Sequence, residues 1–132
     1  MPPEPRDKAR GKPIPPSAIR AVERQLTSRL EGECDFSAGA RALYAADASN
    51  YRQTPIGVVF PRTVDDVIGT VRACQEHGVP ILPRGAGTSL AGQSCNVAVV
   101  MDMSRHLRGM LHIDPDRRIA RVQPGVVLDD LQ

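Results

Sequence analysis

The sequence predicts an α/β (α+β) fold, a small mixed sheet built around a right-handed strand–helix–strand crossover. Two stretches of the 132-residue chain carry that reading. In residues 56–83 an apolar run, Ile56 to Phe60, precedes a helical segment and then a second apolar run, Ile81-Leu82. Two strands joined through a helix run parallel, and such crossovers are right-handed. Farther on, apolar stretches from Met110 to Ile113 and from Ile119 to Gln123 flank Asp114-Pro-Asp-Arg117. That tetrapeptide is rich in turn formers, so the pair reads as an antiparallel hairpin.

The elements follow in order. Six of the twelve prolines fall in residues 1–16, interleaved with Arg6, Lys8, Arg10 and Lys12. Such a segment cannot bury enough surface to order itself, and it reads as a disordered, Pro-rich basic tail. The alternative, an arm for an acidic partner or membrane, rests on four charges that salt screens. Residues 17–132 form the body. Ser17 offers an N-cap, and Ile19, Val22, Leu26 and Leu30 recur at helical spacing before Gly32. Pro61 closes the strand that ends at Phe60, and Thr63 caps the next helix. Val64, Val67, Ile68, Val71 and Cys74 read as its inner face, and Gly78 ends it. Ala98 to Met101 is a further strand. Gln123-Pro-Gly125 breaks the last one, and Val126 to Leu131 begins a helical segment. There are no internal repeats.

The most informative segment is Pro83-Arg-Gly-Ala-Gly-Thr-Ser-Leu-Ala-Gly-Gln93, which leaves the strand at Ile81-Leu82. Gly85, Ala86 and Gly87 allow successive backbone N–H groups to turn toward one point, a concavity that binds anions. Thr88 and Ser89 add hydroxyl donors. The segment lies at the C-terminal end of a parallel strand, where open α/β sheets bind ligands. It departs from the G-x-G-x-x-G dinucleotide fingerprint by placing Leu90 where the third glycine belongs. It departs from the triphosphate loop by placing Gln93 where lysine belongs, so no cation answers a transferring phosphoryl group. What remains is an anion site for a phosphate that is held, or a plain glycine turn between strands.

The surrounding series decides between them. Tyr44-Ala-Ala-Asp-Ala-Ser49, Tyr51-Arg-Gln-Thr-Pro-Ile-Gly-Val-Val-Phe-Pro61, Asp66-Val67, the glycine loop, Val100-Met-Asp-Met-Ser-Arg105 and Val122-Gln-Pro-Gly-Val126 occur in that order. Over residues 17–132 this series resembles the FAD-binding (PCMH-type) domain of the vanillyl-alcohol oxidase and p-cresol methylhydroxylase superfamily. Within it, the series is most similar to FAD-linked 2-hydroxy-acid dehydrogenases: D-lactate and D-2-hydroxyglutarate dehydrogenases and the glycolate oxidase flavin subunit. The resemblance implies the first lobe of a two-lobed domain, truncated in its last helix, with FAD between the lobes and a cap domain over the substrate. It implies an FAD-dependent oxidoreductase that oxidises a small 2-hydroxy acid by hydride transfer to flavin. These residues would be its pyrophosphate-binding front piece, inactive alone and without a catalytic residue. The alternatives are a stand-alone phosphate- or nucleotide-binding module, or a remnant that pairs with a partner lobe.

The resemblance also assigns residues. Pro83, Arg84, Gly85, Ala86, Gly87, Thr88 and Ser89 would wrap the FAD pyrophosphate, the backbone of the middle three being closest. Arg84 is open between a phosphate contact and a structural ion pair. Gln93 is open between the flavin region and a loop hydrogen bond. Pro124 and Gly125 would approach the cofactor or form a turn. Covalently flavinylated relatives carry histidine in this loop where Thr88 stands, and threonine has no ring nitrogen, so attachment at that position is excluded and the flavin is expected to be noncovalent. Asp47, in Tyr-x-x-Asp-x-Ser, is expected to make structural hydrogen bonds.

Composition narrows the rest. Residues 1–16 supply the whole net charge of +2, since 17–132 hold thirteen basic and thirteen acidic side chains. A neutral body with four aromatics argues against a nucleic-acid surface. No apolar run approaches a membrane span or a signal-peptide core. Cys34, Cys74 and Cys95 are odd in number and lack a C-x-x-C pair, which fits a reducing cytoplasm, and Cys74 reads as core. His77 reads as a helix-end residue, and Asp65-Asp66 as partners of a helix dipole rather than a catalytic pair. His106 and His112 lack partners at metal-ligand spacing in the sequence, so no metal site is expected.

Overall fold

A computed structural model describes residues 13–131 of the chain. The expected tail therefore lies outside the described residues up to position 12. Beyond it, Ile14 already packs against the core. Helix α1 spans Pro16–Arg29, with Pro15 as N-cap and Pro16 in the first turn. Proline suits that place because its missing N–H would have no intrahelical partner there. Ser17 is thus inside the helix and is not its cap, a correction by two positions. Val22 and Leu26 are buried, and Ile19 and Leu30 pack partly against the same core, as their spacing implied.

Strand β1, Glu33–Asp35, and helix α2, Ala38–Leu43, come next. Strand β2 is Gly57–Phe60, helix α3 is Val64–Glu76, and strands β3 and β4 are Ile81–Arg84 and Val99–Asp102. They form a mixed sheet in the order β1-β2-β4-β3. β1 is antiparallel to β2, while β2 and β3 both run parallel to β4. The crossover expected from residues 56–83 is present and parallel, but β4 lies between its two strands. All four residues of β2 and of β4 are buried, as central strands covered on both faces require. Val58, Val59, Val99 and Val100 are each fully excluded from solvent. Each such burial contributes roughly 1.5–3 kcal/mol. Val22 and Leu26 of α1 and Ala73 and Cys74 of α3 pack on Val59 and Val99.

The inner face of α3 differs from expectation. Asp66, Thr70, Ala73 and Cys74 are buried, whereas Val64, Ile68 and Val71 are 64%, 41% and 41% exposed. Of the expected face, Cys74 is buried and Val67 packs against the core as read, while Val64, Ile68 and Val71 turn outward. The phase of the helix is set by Asp66, whose carboxylate accepts backbone N–H groups of Glu31, Gly32 and Arg62, each at 2.9 Å. The Thr70 hydroxyl then donates to the Asp66 carbonyl at 2.7 Å. Thr63 caps the helix as read, accepting from Asp66 N, and Gly78 follows the C-cap with φ +64°. His77 is that C-cap, and its ring meets Gln25 Oε1 of α1 at 3.2 Å. Burial pushes the Cys74 thiol up to about 11, consistent with a core side chain.

A hairpin, β5 Met110–Asp114 and β6 Ile119–Val122, stands apart as a two-stranded sheet. The turn expected at 114–117 is present, with Asp114 accepting from Arg117 N. The segment after Gly125 forms only a 3₁₀ turn, Leu128–Leu131. No helix among the described residues is long and apolar enough to cross a membrane.

Asp66 provides a direct stability test. Burial opposes its charge, but the backbone N–H bonds from Arg62, Glu31 and Gly32 outweigh that and hold its carboxyl below the ordinary 3.8. Because the folded value is depressed, its stabilisation is complete above 3.8 and is lost as pH falls through the folded value. Asp66→Ala leaves three donors without their acceptor and should cost about 3 kcal/mol in urea unfolding at pH 7. The variant should also lose part of the wild type's acid-dependent destabilisation.

Candidate functional site

The site forms where β3 and β4 end side by side, with Arg84 in register with Asp102. The chain leaving β3 turns at Gly85, Ala86 and Gly87, and Gly87 adopts φ +72°. A side chain at that φ is strained, and a Cβ there would also collide with the Arg84 guanidinium. Gly87 O accepts from Ala48 N at 3.0 Å, which ties the loop to the Tyr44–Ser49 segment.

Arg84 makes no ion pair among the described residues; its side chain serves the backbone instead. Its NH1 donates to the carbonyls of Ala46, at 3.0 Å, and Ser94, at 3.1 Å, and the guanidinium lies 5.1 Å from the Tyr44 ring centroid. The side chain is folded beneath the loop as a backbone brace. Asp47 completes that brace by accepting from Ser49 N at 2.8 Å and from the Ser94 hydroxyl at 2.8 Å. Hydrogen bonds from Ser49 first, then Ser94, hold its carboxyl down at about 2. Its expected structural role is therefore visible. Gln93 resolves as a loop contact: its Oε1 accepts from the Ser89 hydroxyl and from Ala91 N. Pro83 and Arg84 belong to β3 itself.

Under the same loop, Tyr44 donates to Asp102 Oδ2 at 2.6 Å, and the other oxygen accepts from Ser104 N and Oγ. Burial, and then the Asp102 carboxylate, push the Tyr44 hydroxyl above its ordinary range. Asp102 is buried but fully hydrogen-bonded, so the cluster is a support rather than a reactive acid. His106 pairs with Glu33 at 2.8 Å, although it looked isolated in the sequence. Glu33 also meets Arg62 at 2.9 Å, and the guanidinium first, then His106, holds its carboxyl at about 2. Among the described residues no three His, Cys, Asp or Glu side chains converge as metal ligands.

The loop faces a cleft of about 470 Å³, lined by Gly85, Ala86 and Thr88 on one side and Pro124 and Gly125 on another, with Ser104 and Arg108 between. Two sequence-separated expectations thus meet in one place. Gly125 reaches it because its N–H donates to Leu107 O at 2.8 Å, and a Cβ there would strike Met103 O. Pro124-Gly125 forms a turn, as one of its two readings had it, and that turn lines the cleft. Gly85 has the opposite character, since a Cβ there would meet nothing within 4 Å. The fold does not need glycine at 85, whereas a ligand lying against the backbone would. Ser89 and Gln93 satisfy each other away from the cleft lining. Sequence reading missed Ser104 and Arg108, and only their place after the Asp102 strand end could have signalled them. A cavity of about 180 Å³ between α1 and α3, and one of about 400 Å³ near Phe36 and Pro55, contain none of this loop.

Comparisons with known proteins agree with this geometry. Residues 55–132 match a family model described as an FAD binding domain. Glycolate oxidase subunit GlcD of Bacillus subtilis is 37% identical over 99 residues, covering 74% of this chain and 21% of that protein. D-2-hydroxyglutarate dehydrogenase of Escherichia coli is 38% identical over 103 residues, covering 76% and 10%. The chain therefore spans about a fifth and a tenth of the length of these two relatives. Among solved structures, p-cresol methylhydroxylase superposes with a TM-score of 0.73 at 20% identity, over 91% of this chain and 25% of that one. The 4-ethylphenol oxidase of Gulosibacter chungangensis gives 0.74 at 18%, over 87% and 24%. These two show a shared PCMH-type fold.

Gly87 separates loop geometry from charge. Gly87→Val should cost about 2 kcal/mol of stability by combining the positive-φ strain with displacement of Arg84. The same substitution should weaken flavin binding far more than Lys8→Ala or Lys12→Ala, as read by flavin titration. Equal losses at all three positions would show that the loop is not the site.

Proposed function

The chain belongs to the FAD-binding domain family, whose cofactor is FAD, and from that premise we propose that its cleft holds the FAD pyrophosphate against the backbone of Gly85, Ala86 and Gly87. The observation that carries this reading is Gly85, a cleft-lining glycine whose missing side chain leaves open space instead of relieving a clash. Thr88, exposed at the cleft, would add a hydroxyl donor, and Pro124-Gly125 would form the facing wall. Arg84, Ser89 and Gln93 would act through loop shape rather than by touching the cofactor. The flavin would be noncovalent, because Thr88 stands where covalently flavinylated relatives carry histidine.

The reaction class follows from the relatives, two of which are named for glycolate and D-2-hydroxyglutarate. The chain would be the front lobe of an FAD-dependent oxidoreductase acting on a small 2-hydroxy acid. A bound flavin supplies two-electron acceptance from the alcohol carbon. This chain's own share would be to hold the anionic middle of the cofactor against its loop backbone, so that the ring is oriented for a second lobe and a cap domain supplied elsewhere. Three free cysteines and the absence of a disulfide among the described residues support a reducing, cytoplasmic setting.

Gly85→Val tests the reading. It should leave urea stability within about 0.5 kcal/mol of wild type, because nothing surrounds the new side chain, yet weaken FAD binding at least ten-fold in titration. Unchanged affinity would place the cofactor elsewhere. Acid precipitation of the FAD-loaded chain should leave all flavin in the supernatant, and colour in the pellet would contradict noncovalent binding.

Dehydrogenase turnover by the 132 residues alone is not expected. Orientation of substrate and ring contributes up to about 7–11 kcal/mol of a barrier, and one wall cannot impose it. Dye reduction with FAD and D-lactate, glycolate or D-2-hydroxyglutarate should match free FAD. Robust substrate-dependent reduction would overturn the division of labour between lobes.

A further inference from the structure

We propose that Arg108 supplies the charge for the cofactor's pyrophosphate, an inference that rests on the FAD reading above. The glycine loop offers backbone donors but no cation. Arg84, next to it in sequence, is committed to the carbonyls of Ala46 and Ser94. Three other arginines near the sheet are similarly occupied. Arg62 pairs with Glu33, Arg105 lies 4.6 Å from the Phe60 ring centroid, and Arg41 donates to Pro55 O at 2.8 Å. Among the described residues Arg108 is the one charged side chain lining the cleft, and it is exposed. Among the described residues its side chain makes neither an ion pair nor a hydrogen bond.

Its base is fixed from several directions. Met103 N donates to Arg84 O at 2.9 Å, and Leu107 N to Met103 O at 3.2 Å. On its other side Gly109 N donates to Gln123 Oε1 at 2.7 Å, while Gly125 N holds Leu107 O. The anchored backbone fixes where the side chain starts at the cleft, and its planar guanidinium fork matches phosphate oxygens. A substrate carboxylate is the rival ligand. Arg108 lines the same cleft as Gly85, Ala86 and Thr88, not a separate pocket, and this favours the anion that the loop itself faces.

The test titrates the 132-residue chain with FAD and with riboflavin, which has no phosphate, at low and physiological salt. Arg108→Ala should raise the FAD dissociation constant roughly ten-fold at low salt and flatten its salt dependence. Riboflavin binding and the urea midpoint should not change, and Arg108→Lys should recover part of the loss. Equal FAD affinity and salt dependence in wild type and Arg108→Ala would overturn the assignment, as would an equal loss for riboflavin. Gly85→Val is the control: if it weakens FAD while Arg108→Ala does not, the cleft stands and Arg108 falls. If wild type fails to bind FAD, or neither substitution weakens binding, both fall.

Discussion

The site depends on one part-buried contact: the Arg84 guanidinium under its own loop. One nitrogen joins Ala46 O and Ser94 O, two carbonyls from segments remote in sequence, and the plane rests over Tyr44. Around it, Asp47 bonds Ser94 and Ala48 bonds Gly87. Tyr44 in turn reaches Asp102, which stabilises the start of the chain leading to Ser104 and Arg108. These bonds share partners, so loss of one loosens the others, as polar networks do. The cleft is held by this network rather than by apolar packing.

That division matches the distribution of the core. Valines of β2 and β4 and the faces of α1 and α3 exclude water from the middle of the sheet. The strand ends carry glycine, hydroxyl and charged groups instead. A dry sheet fixes the register Arg84 to Asp102, and the register decides which polar groups meet at the edge. The cleft lies at the boundary between the two regimes, where the glycine loop leaves β3.

Much of this was legible in the sequence, for reasons that differ by element. Ile56 to Phe60, the Thr63 cap, Gly78 and the turn at Asp114-Pro-Asp-Arg117 announce themselves through local chemistry. β1 and α2 did not, because a three-residue edge strand and a six-residue helix containing Gly39 lack enough periodicity to stand out. The face of α3 was misread because Asp66 is buried for its hydrogen bonds, which hydropathy counts as exposed. Gly85, Ala86, Thr88 and Pro124-Gly125 were singled out by residue type and by the family resemblance, and their meeting in one cleft needed the fold. The turn of Arg84 under the loop and the place of Arg108 at the cleft depend on side-chain paths that spacing does not encode.

The most direct measurement is a backbone amide NMR titration of the chain with FAD. The amides of Gly85, Ala86, Gly87 and Thr88 should shift together, with Gly125 moving at the same FAD concentration, because all five line or shape one cleft. Amides of Gln25, Gly69 and Phe36, beside the other cavities, should stay in place. Shifts centred on either of those cavities, with the 85–88 amides unmoved, would contradict a pyrophosphate site at the end of β3.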